Sequence, residues 1–157
     1  MPPRVFDLLP RYVEKFGWKD NLFAGKEKGE WIKYDGKAFC AMTDAISRGF
    51  IKLGVGKGDR VALVANNSPQ WNMVDFAIQQ VGAITIPIYS TISHDDYAYI
   101  LKHSEAKAIL LKAVPFIEKL RILLKVSQAS NMSFPCIRLM NSNRLTTFWE
   151  SEMKTWT

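Results

Sequence analysis

Three short, nearly continuous apolar runs at residues 60–65, 83–88 and 107–111 recur about two dozen residues apart, with helix-patterned segments between them. A strand covered on both faces is apolar along its whole length, which is the pattern of a parallel strand buried between helices. The spacing is that of strand–helix–strand units. The runs therefore predict an α/β fold with a doubly wound, mainly parallel sheet and flanking helices.

The intervening helices carry their own start and stop signals. Ser68 is placed to cap a helix with Pro69 in its first turn, Trp71, Val74, Ile78 and Val81 form its apolar stripe, and Gly82 ends it. Ser93 caps the next, with Asp95 and Asp96 in the first turn, where the helix dipole favours negative charge. Ahead of the first strand, Phe39, Met42, Ile46, Phe50 and Leu53 recur at spacings of three and four, predicting a helix over 38–53 that Gly54 ends through a left-handed cap. Residues 4–16 read as an amphipathic helix with Val5, Leu8, Leu9, Tyr12, Val13 and Phe16 on one side. Residues 22–25 and 30–34 read as a short β-hairpin around a turn at 26–29. Further on, 116–126 has a helical stripe of Ile117, Leu120, Leu123 and Leu124, and 134–140 is a further strand that Pro135 confines to an edge or a strand start. Residues 141–157 have no clear periodicity.

At 157 residues and 48% hydrophobic content, the chain is long enough for one globular domain with a core. The formal charge is +6, but residues 112–157 supply seven Lys/Arg against three Asp/Glu, and the first 111 residues are nearly balanced at fourteen against twelve. A nucleic-acid site should show a basic face interleaved with aromatics, and these cations are scattered, so no nucleic-acid partner is expected. The apolar stretch near the amino terminus is too short and too interrupted for a signal peptide, and no run approaches a membrane span, so no transmembrane segment is expected. Cys40 and Cys136 have neither a metal-ligand spacing nor the numbers for a disulfide framework. Cys40 falls within a helix as a buried reduced thiol, and the expected location is cytoplasmic.

Few residues here carry chemistry. Gly54, Gly56 and Gly58 mimic a dinucleotide fingerprint, but a phosphate-binding turn must follow a strand and open a helix, whereas these follow a helix and lead into a strand. They read as a helix-to-strand connection, with Asp59 tying the turn or facing solvent. His94 and His103 are nine positions apart and on roughly opposite helix faces, and Asp95 and Asp96 are helix-start acids, so no metal site is assigned. Asn66, Asn67 and Ser68 sit at the carboxyl end of the first parallel strand, where open α/β sheets place ligands. They are the candidate contribution to a small-molecule crevice, against the plainer roles of turn and cap. Trp71 and Tyr89 read as packing residues. No catalytic, cofactor-binding or metal-binding residue is assigned.

One set of motifs adds a second line of inference. In order come Lys52-Leu53-Gly54-Val55, Lys57-Gly58-Asp59-Arg60-Val61-Ala62, Asn67-Ser68-Pro69-Gln70-Trp71, Gly82-Ala83-Ile84, Pro87-Ile88-Tyr89, Tyr99-Ile100-Leu101 and Ser104-Glu105-Ala106. In this order they resemble the N-terminal region of AMP-forming acyl-CoA synthetases, most closely the long-chain fatty-acid CoA ligases of the adenylate-forming superfamily. The resemblance implies the N-terminal subdomain of that fold. It also implies a two-step reaction in which a fatty acid and ATP give acyl-AMP and pyrophosphate, and CoA then displaces AMP, with Mg²⁺ as the usual charge partner.

The family's phosphate loop is rich in glycine, because backbone N–H groups must approach phosphate oxygens closely. No glycine follows Gly82. The expectation is therefore a partial N-terminal α/β domain over residues 1–128 and an atypical tail over 129–157, which a frameshift or truncation would explain. Such a chain would bind no cofactor and be inactive alone, the full-length enzyme using ATP, Mg²⁺ and CoA. Self-association is expected through surface that truncation exposes, at a sheet edge or along the apolar side of 116–124. The rival expectation is a stand-alone α/β interaction module without catalysis. A phosphoacceptor domain would want acids where Asn66-Asn67 stand, and a flavodoxin-like module would want a glycine in the loop after that strand.

Overall fold

The computed structural model describes residues 4–27, 29–112 and 136–140. A 3-10 turn at Val5–Asp7 leads into helix α1 (Leu8–Phe16), and strands β1 (Phe23–Glu27) and β2 (Glu30–Tyr34) form an antiparallel hairpin. Helix α2 (Gly36–Lys52) follows, then β3 (Arg60–Val64), α3 (Pro69–Gln80), β4 (Ile84–Ile88), α4 (His94–Ser104), β5 (Ala108–Lys112) and β6 (Cys136–Met140). The last four strands form one parallel sheet in the order β4-β3-β5-β6.

β3 is apolar throughout because both of its faces are covered. Its side chains alternate, and Val61 and Leu63 pack with Phe39, Ile46, Phe50, Met73, Val74 and Ile78 of α2 and α3. Ala62 and Val64 face the other way, with Tyr97 and Leu101 of α4 and Ile109 and Leu111 of β5. Helices on both faces make the sheet doubly wound, as the three apolar runs predict. Each of these fully buried aliphatic side chains contributes about 1.5–3 kcal/mol relative to exposure. Phe39 links the layers by stacking on Phe23 of the hairpin (4.4 Å) and meeting Phe76 of α3 edge-on (5.9 Å).

Helix ends follow local chemistry. Gly54 (φ 75°) and Gly82 (φ 76°) both take the left-handed conformation just past a helix. In each case two backbone bonds close the end, Gly54 N–H to Ile51 O and Val55 N–H to Phe50 O (2.9 Å each), then Gly82 N–H to Gln79 O and Ala83 N–H to Ile78 O (3.0 Å each). α2 begins two residues ahead of the expected Ala38, because the Asp35 carboxylate accepts the Ala38 N–H at 2.7 Å and caps the helix there.

Four expectations are adjusted in detail. The buried face of α3 centres on Met73, Val74, Ala77 and Ile78, while Trp71 and Val81 are only partly buried at its margin. The first hairpin strand starts one residue and ends two residues further on, while the second keeps its expected bounds, with Glu27 opposite Glu30. Of the apolar residues in the expected first helix only Leu9 is buried, while Val5, Leu8, Tyr12 and Phe16 are exposed. β6 starts at Cys136, two residues later than expected, and among the described residues it occupies the sheet edge opposite β4. The expected helix at 116–126 and the tail at 141–157 lie outside the described residues. Among the described residues no helix is long and apolar enough to cross a membrane.

Candidate functional site

The carboxyl edge of the parallel sheet is where β3 and β4 release their chains into α3 and α4. Val64 pairs with Ile88, so two residues further along both chains Asn66 stands opposite Ser90, and Ser90 Oγ donates to Asn66 Oδ1 at 2.7 Å. Asn67 is exposed. Ser68 Oγ accepts the Trp71 N–H at 3.2 Å, so Ser68 is the cap of α3, with Pro69 behind it at the first position. Asn66 is therefore the residue of the predicted trio with a partner across the edge. Ser68 is engaged by its helix.

The carboxyl edge is bordered on two sides. On the α4 side, Tyr97 is 1% exposed, and its hydroxyl donates to the Tyr89 carbonyl at 2.8 Å, pinning the loop that follows β4. Burial pushes the Tyr97 phenol up to about 12, so it stays a neutral donor through the physiological range. The Tyr89 side chain is 81% exposed at this edge, whereas Trp71 packs against the α2–α3 core. On the hairpin side, Gly25 lies so close to Pro69 that a Cβ there would stand 2.7 Å from the proline Cδ. Gln70 Nε2 also donates to the Tyr34 hydroxyl at 2.8 Å. The hairpin is thus seated on the start of α3.

The glycine-rich segment lies at the opposite, amino edge. Gly56 N–H donates to Asp59 Oδ2 (2.8 Å), and Lys107 Nζ donates both to Asp59 Oδ2 and to the Gly54 carbonyl (2.7 Å each). Asp59 ties the turn, and Lys107 clamps it from the start of β5. The Lys107 hydrogen bond, then that from Gly56, holds the Asp59 carboxyl below its ordinary value. Arg60 beside it pairs with Glu105 at 2.6 Å.

Asp96 and His103 of α4 do local work. Ser93 Oγ accepts the Asp96 N–H and donates to its carboxylate, and His103 stacks on Tyr99 with ring centres 5.6 Å apart. Among the described residues no group of three or more His, Cys, Asp or Glu side chains gathers as a metal site would require. Cys40 is a free thiol, half-buried rather than fully so, and burial, with Asp44 adding to it, raises its pKa.

The carboxyl edge therefore offers neutral hydrogen-bonding groups (Asn66, Asn67, Ser90, the Tyr89 hydroxyl) beside an aromatic surface. That arrangement can orient a polar or planar ligand, but among the described residues it supplies no acid, base or nucleophile poised for chemistry. Ser90 and Tyr97 escape a sequence reading of site residues. The signal for Ser90 is the strand register, which sets it opposite Asn66. The signal for Tyr97 is its position one turn into a capped helix.

A model of the AMP-binding enzyme family matches residues 11–144. A 62-residue stretch is 45% identical to the long-chain-fatty-acid–CoA ligase FadD15 of Mycobacterium bovis, covering 40% of this chain and 10% of that protein. An 80-residue stretch is 31% identical to the putative acyl-CoA synthetase YngI of Bacillus subtilis, covering 51% of this chain and 15% of that one. The chain thus spans only a small part of the length of the curated relatives it matches. Among solved structures, the N-terminal domain of FACL13 from Mycobacterium tuberculosis superposes with a TM-score of 0.77 at 17% identity, over 95% of this chain and 36% of that one.

Proposed function

This chain belongs to the AMP-binding enzyme family, and from that membership we propose that it is the N-terminal α/β part of a long-chain fatty-acid CoA ligase. The observation that carries the substrate class is the 45% identity to FadD15, within a family match that runs through both crossover units of the sheet. In the whole enzyme the reaction joins a fatty acid to CoA through acyl-AMP, with ATP consumed and, together with its Mg²⁺, bound by other segments.

The residues described in this chain do not fit ATP with Mg²⁺. A triphosphate needs backbone N–H groups at a glycine-rich turn that opens a helix, and Mg²⁺ needs oxygen ligands held together. Here the glycine turn closes α2 and feeds β3, and the carboxyl edge presents amides and hydroxyls in place of gathered carboxylates. No catalytic step is assigned to this chain alone. Its role is that of a scaffold whose carboxyl edge abuts the parts that carry the chemistry, in the cytoplasm, where Cys40 stays reduced. Copies of the isolated chain are expected to associate through apolar surface such as that of 116–124.

Two measurements test the reading. The purified chain, mixed with ATP, Mg²⁺, CoA and a long-chain fatty acid, is expected to release no pyrophosphate. Fatty-acid-dependent release in protein free of host ligase would overturn the inactivity. In the second, the stretch of FadD15 that matches this chain is replaced by the corresponding stretch of this chain. A folded chimera that keeps acyl-CoA formation supports the assignment, whereas one that folds but loses all activity favours a stand-alone interaction module.

A further inference from the structure

The β1–β2 hairpin has one face seated and one face open. Phe23 stacks on Phe39, Gly25 abuts Pro69 and Tyr34 accepts from Gln70, so by alternation residues 23, 25, 32 and 34 are on the inward register. Ala24, Lys26, Trp31 and Lys33 are on the outward one, and all four are exposed. The outer edge of β2 is free as well. Leu22 donates its N–H to the Tyr34 carbonyl at 2.9 Å, so the backbone groups of residues 30, 32 and 34 turn toward β1 and those of Trp31 and Lys33 turn away. Among the described residues β2 pairs with β1 alone, so these N–H and C=O groups face no other strand.

The charge on the open face has one sign. Lys26 lies across from Trp31, and Lys33 is two residues along from it, so two lysines border the tryptophan on this face. No acidic residue stands on the outward register of the two strands, because positions 27 and 30, where the hairpin's glutamates are, belong to the inward register. Beyond the hairpin, Lys19 and Asp20 are adjacent and of opposite charge. Asp35 is engaged by the Ala38 N–H as the cap of α2, and the Lys37 ammonium lies 5.8 Å from the Trp18 ring.

Lysines on an edge strand discourage indiscriminate pairing, and here they sort the possible partners. A second copy is a poor occupant. Backbone alternation lets only Trp31 and Lys33 of one copy bond Trp31 and Lys33 of the other, which gathers Lys26 and Lys33 of both copies on one face of the joint sheet. A neutral strand leaves both ammonium groups uncompensated. A strand with carboxylates at alternate positions places them across from Trp31 and Lys33, where opposite charges stabilise a pair. Its intervening apolar residues fall beside Ile32, which is 37% exposed on the inward register. We propose that the outer edge of β2 takes up an acidic, extended segment of another protein as a third strand. Main-chain bonds to Trp31 and Lys33 hold it, and alternate Asp or Glu side chains meet Lys33, with Lys26 adding to the field from the strand beyond. The inference stands apart from the ligase reading.

Fluorescence anisotropy of labelled hexapeptides titrated with the full chain tests it. A capped peptide of alternating glutamate and valine should bind at least about tenfold more tightly than its lysine–valine counterpart, and salt should weaken it. Replacing its valines by proline keeps the charge but removes backbone donors, and should cost about tenfold or more. In the protein, Lys26→Glu/Lys33→Glu changes two exposed side chains and should also lose about tenfold. Lys33→Pro, which removes an outward N–H that β1 does not use, should lose at least as much. Circular dichroism verifies the fold of both variants. Absence of binding by the glutamate peptide, equal binding of the two charged peptides, or undiminished binding of the proline peptide overturns the proposal. So does unchanged binding by Lys26→Glu/Lys33→Glu, or light scattering in which Lys33→Pro turns a dimer into a monomer, since the edge would then join two copies.

Discussion

Lys107 reaches from the start of β5 to the loop that ends α2, and its bond to Asp59 gives the clearest pH-dependent feature of the molecule. A carboxyl whose pKa falls on folding stabilises fully above its unfolded value, here 3.8, and that contribution is lost as pH falls through the lower folded value. Asp59→Asn should therefore lower stability at neutral pH and flatten the acid limb, as urea titrations between about pH 7 and pH 2 would measure. Parallel acid limbs for variant and wild type would refute this. Tyr97 has the opposite sense. Its phenol is raised to about 12, so the unfolded chain ionises first and stability declines as pH climbs above the ordinary value of 10.0. Tyr97→Phe should cost about 1 kcal/mol at neutral pH through the lost bond to Tyr89 O, yet show a smaller alkaline decline than the wild type.

Among elements, the helix ends separate two kinds of loop residue. Ser68→Ala removes the α3 cap and should cost about 1 kcal/mol, while Asn67→Ala, at an exposed neighbour without that role, should stay within about 0.5 kcal/mol. Gly82 and Gly56 make a second contrast. A Cβ at Gly82 would be held at positive φ and stand 3.3 Å from the Lys57 Cα, whereas one at Gly56 would meet nothing within 4 Å. Gly82→Ala should cost about 1–2 kcal/mol and Gly56→Ala close to none, as read from denaturant midpoints. Equal midpoints would show that the α3–β4 connection can relax.

At the scale of the whole molecule, β3 is the wall shared by two cores. Leu63 is fully buried on the α2–α3 side, and its neighbours Ala62 and Val64 close the α4 side. Leu63→Ala should cost about 2–5 kcal/mol and lower both cores in one transition. Far-ultraviolet circular dichroism and tryptophan fluorescence would then report the same midpoint. Separate midpoints would mean that the two layers fold independently. Among the described residues β4 is an edge strand, and this bears on association. Ile84 donates its N–H toward β3 at the Asp59 carbonyl (2.8 Å), so by alternation residue 87 faces outward, where proline has no N–H to offer a further strand.

What could be read from sequence is what depends on short range. Strand runs, helix stripes, the Ser68 and Ser93 caps and the glycine stops arise from contacts within about four residues, so the order and type of these elements followed from local pattern alone. That Asn66 lies at a sheet edge was equally legible. Its partner Ser90 was not, because a register is set by two strands packing together, and the Lys107–Asp59 clamp spans 48 positions with no local trace. Periodicity also located the apolar side of α1 without dividing it. A stripe wider than the neighbour it packs on leaves part uncovered, and only the tertiary structure decided that Leu9 turned inward while Leu8, Tyr12 and Phe16 were left to solvent.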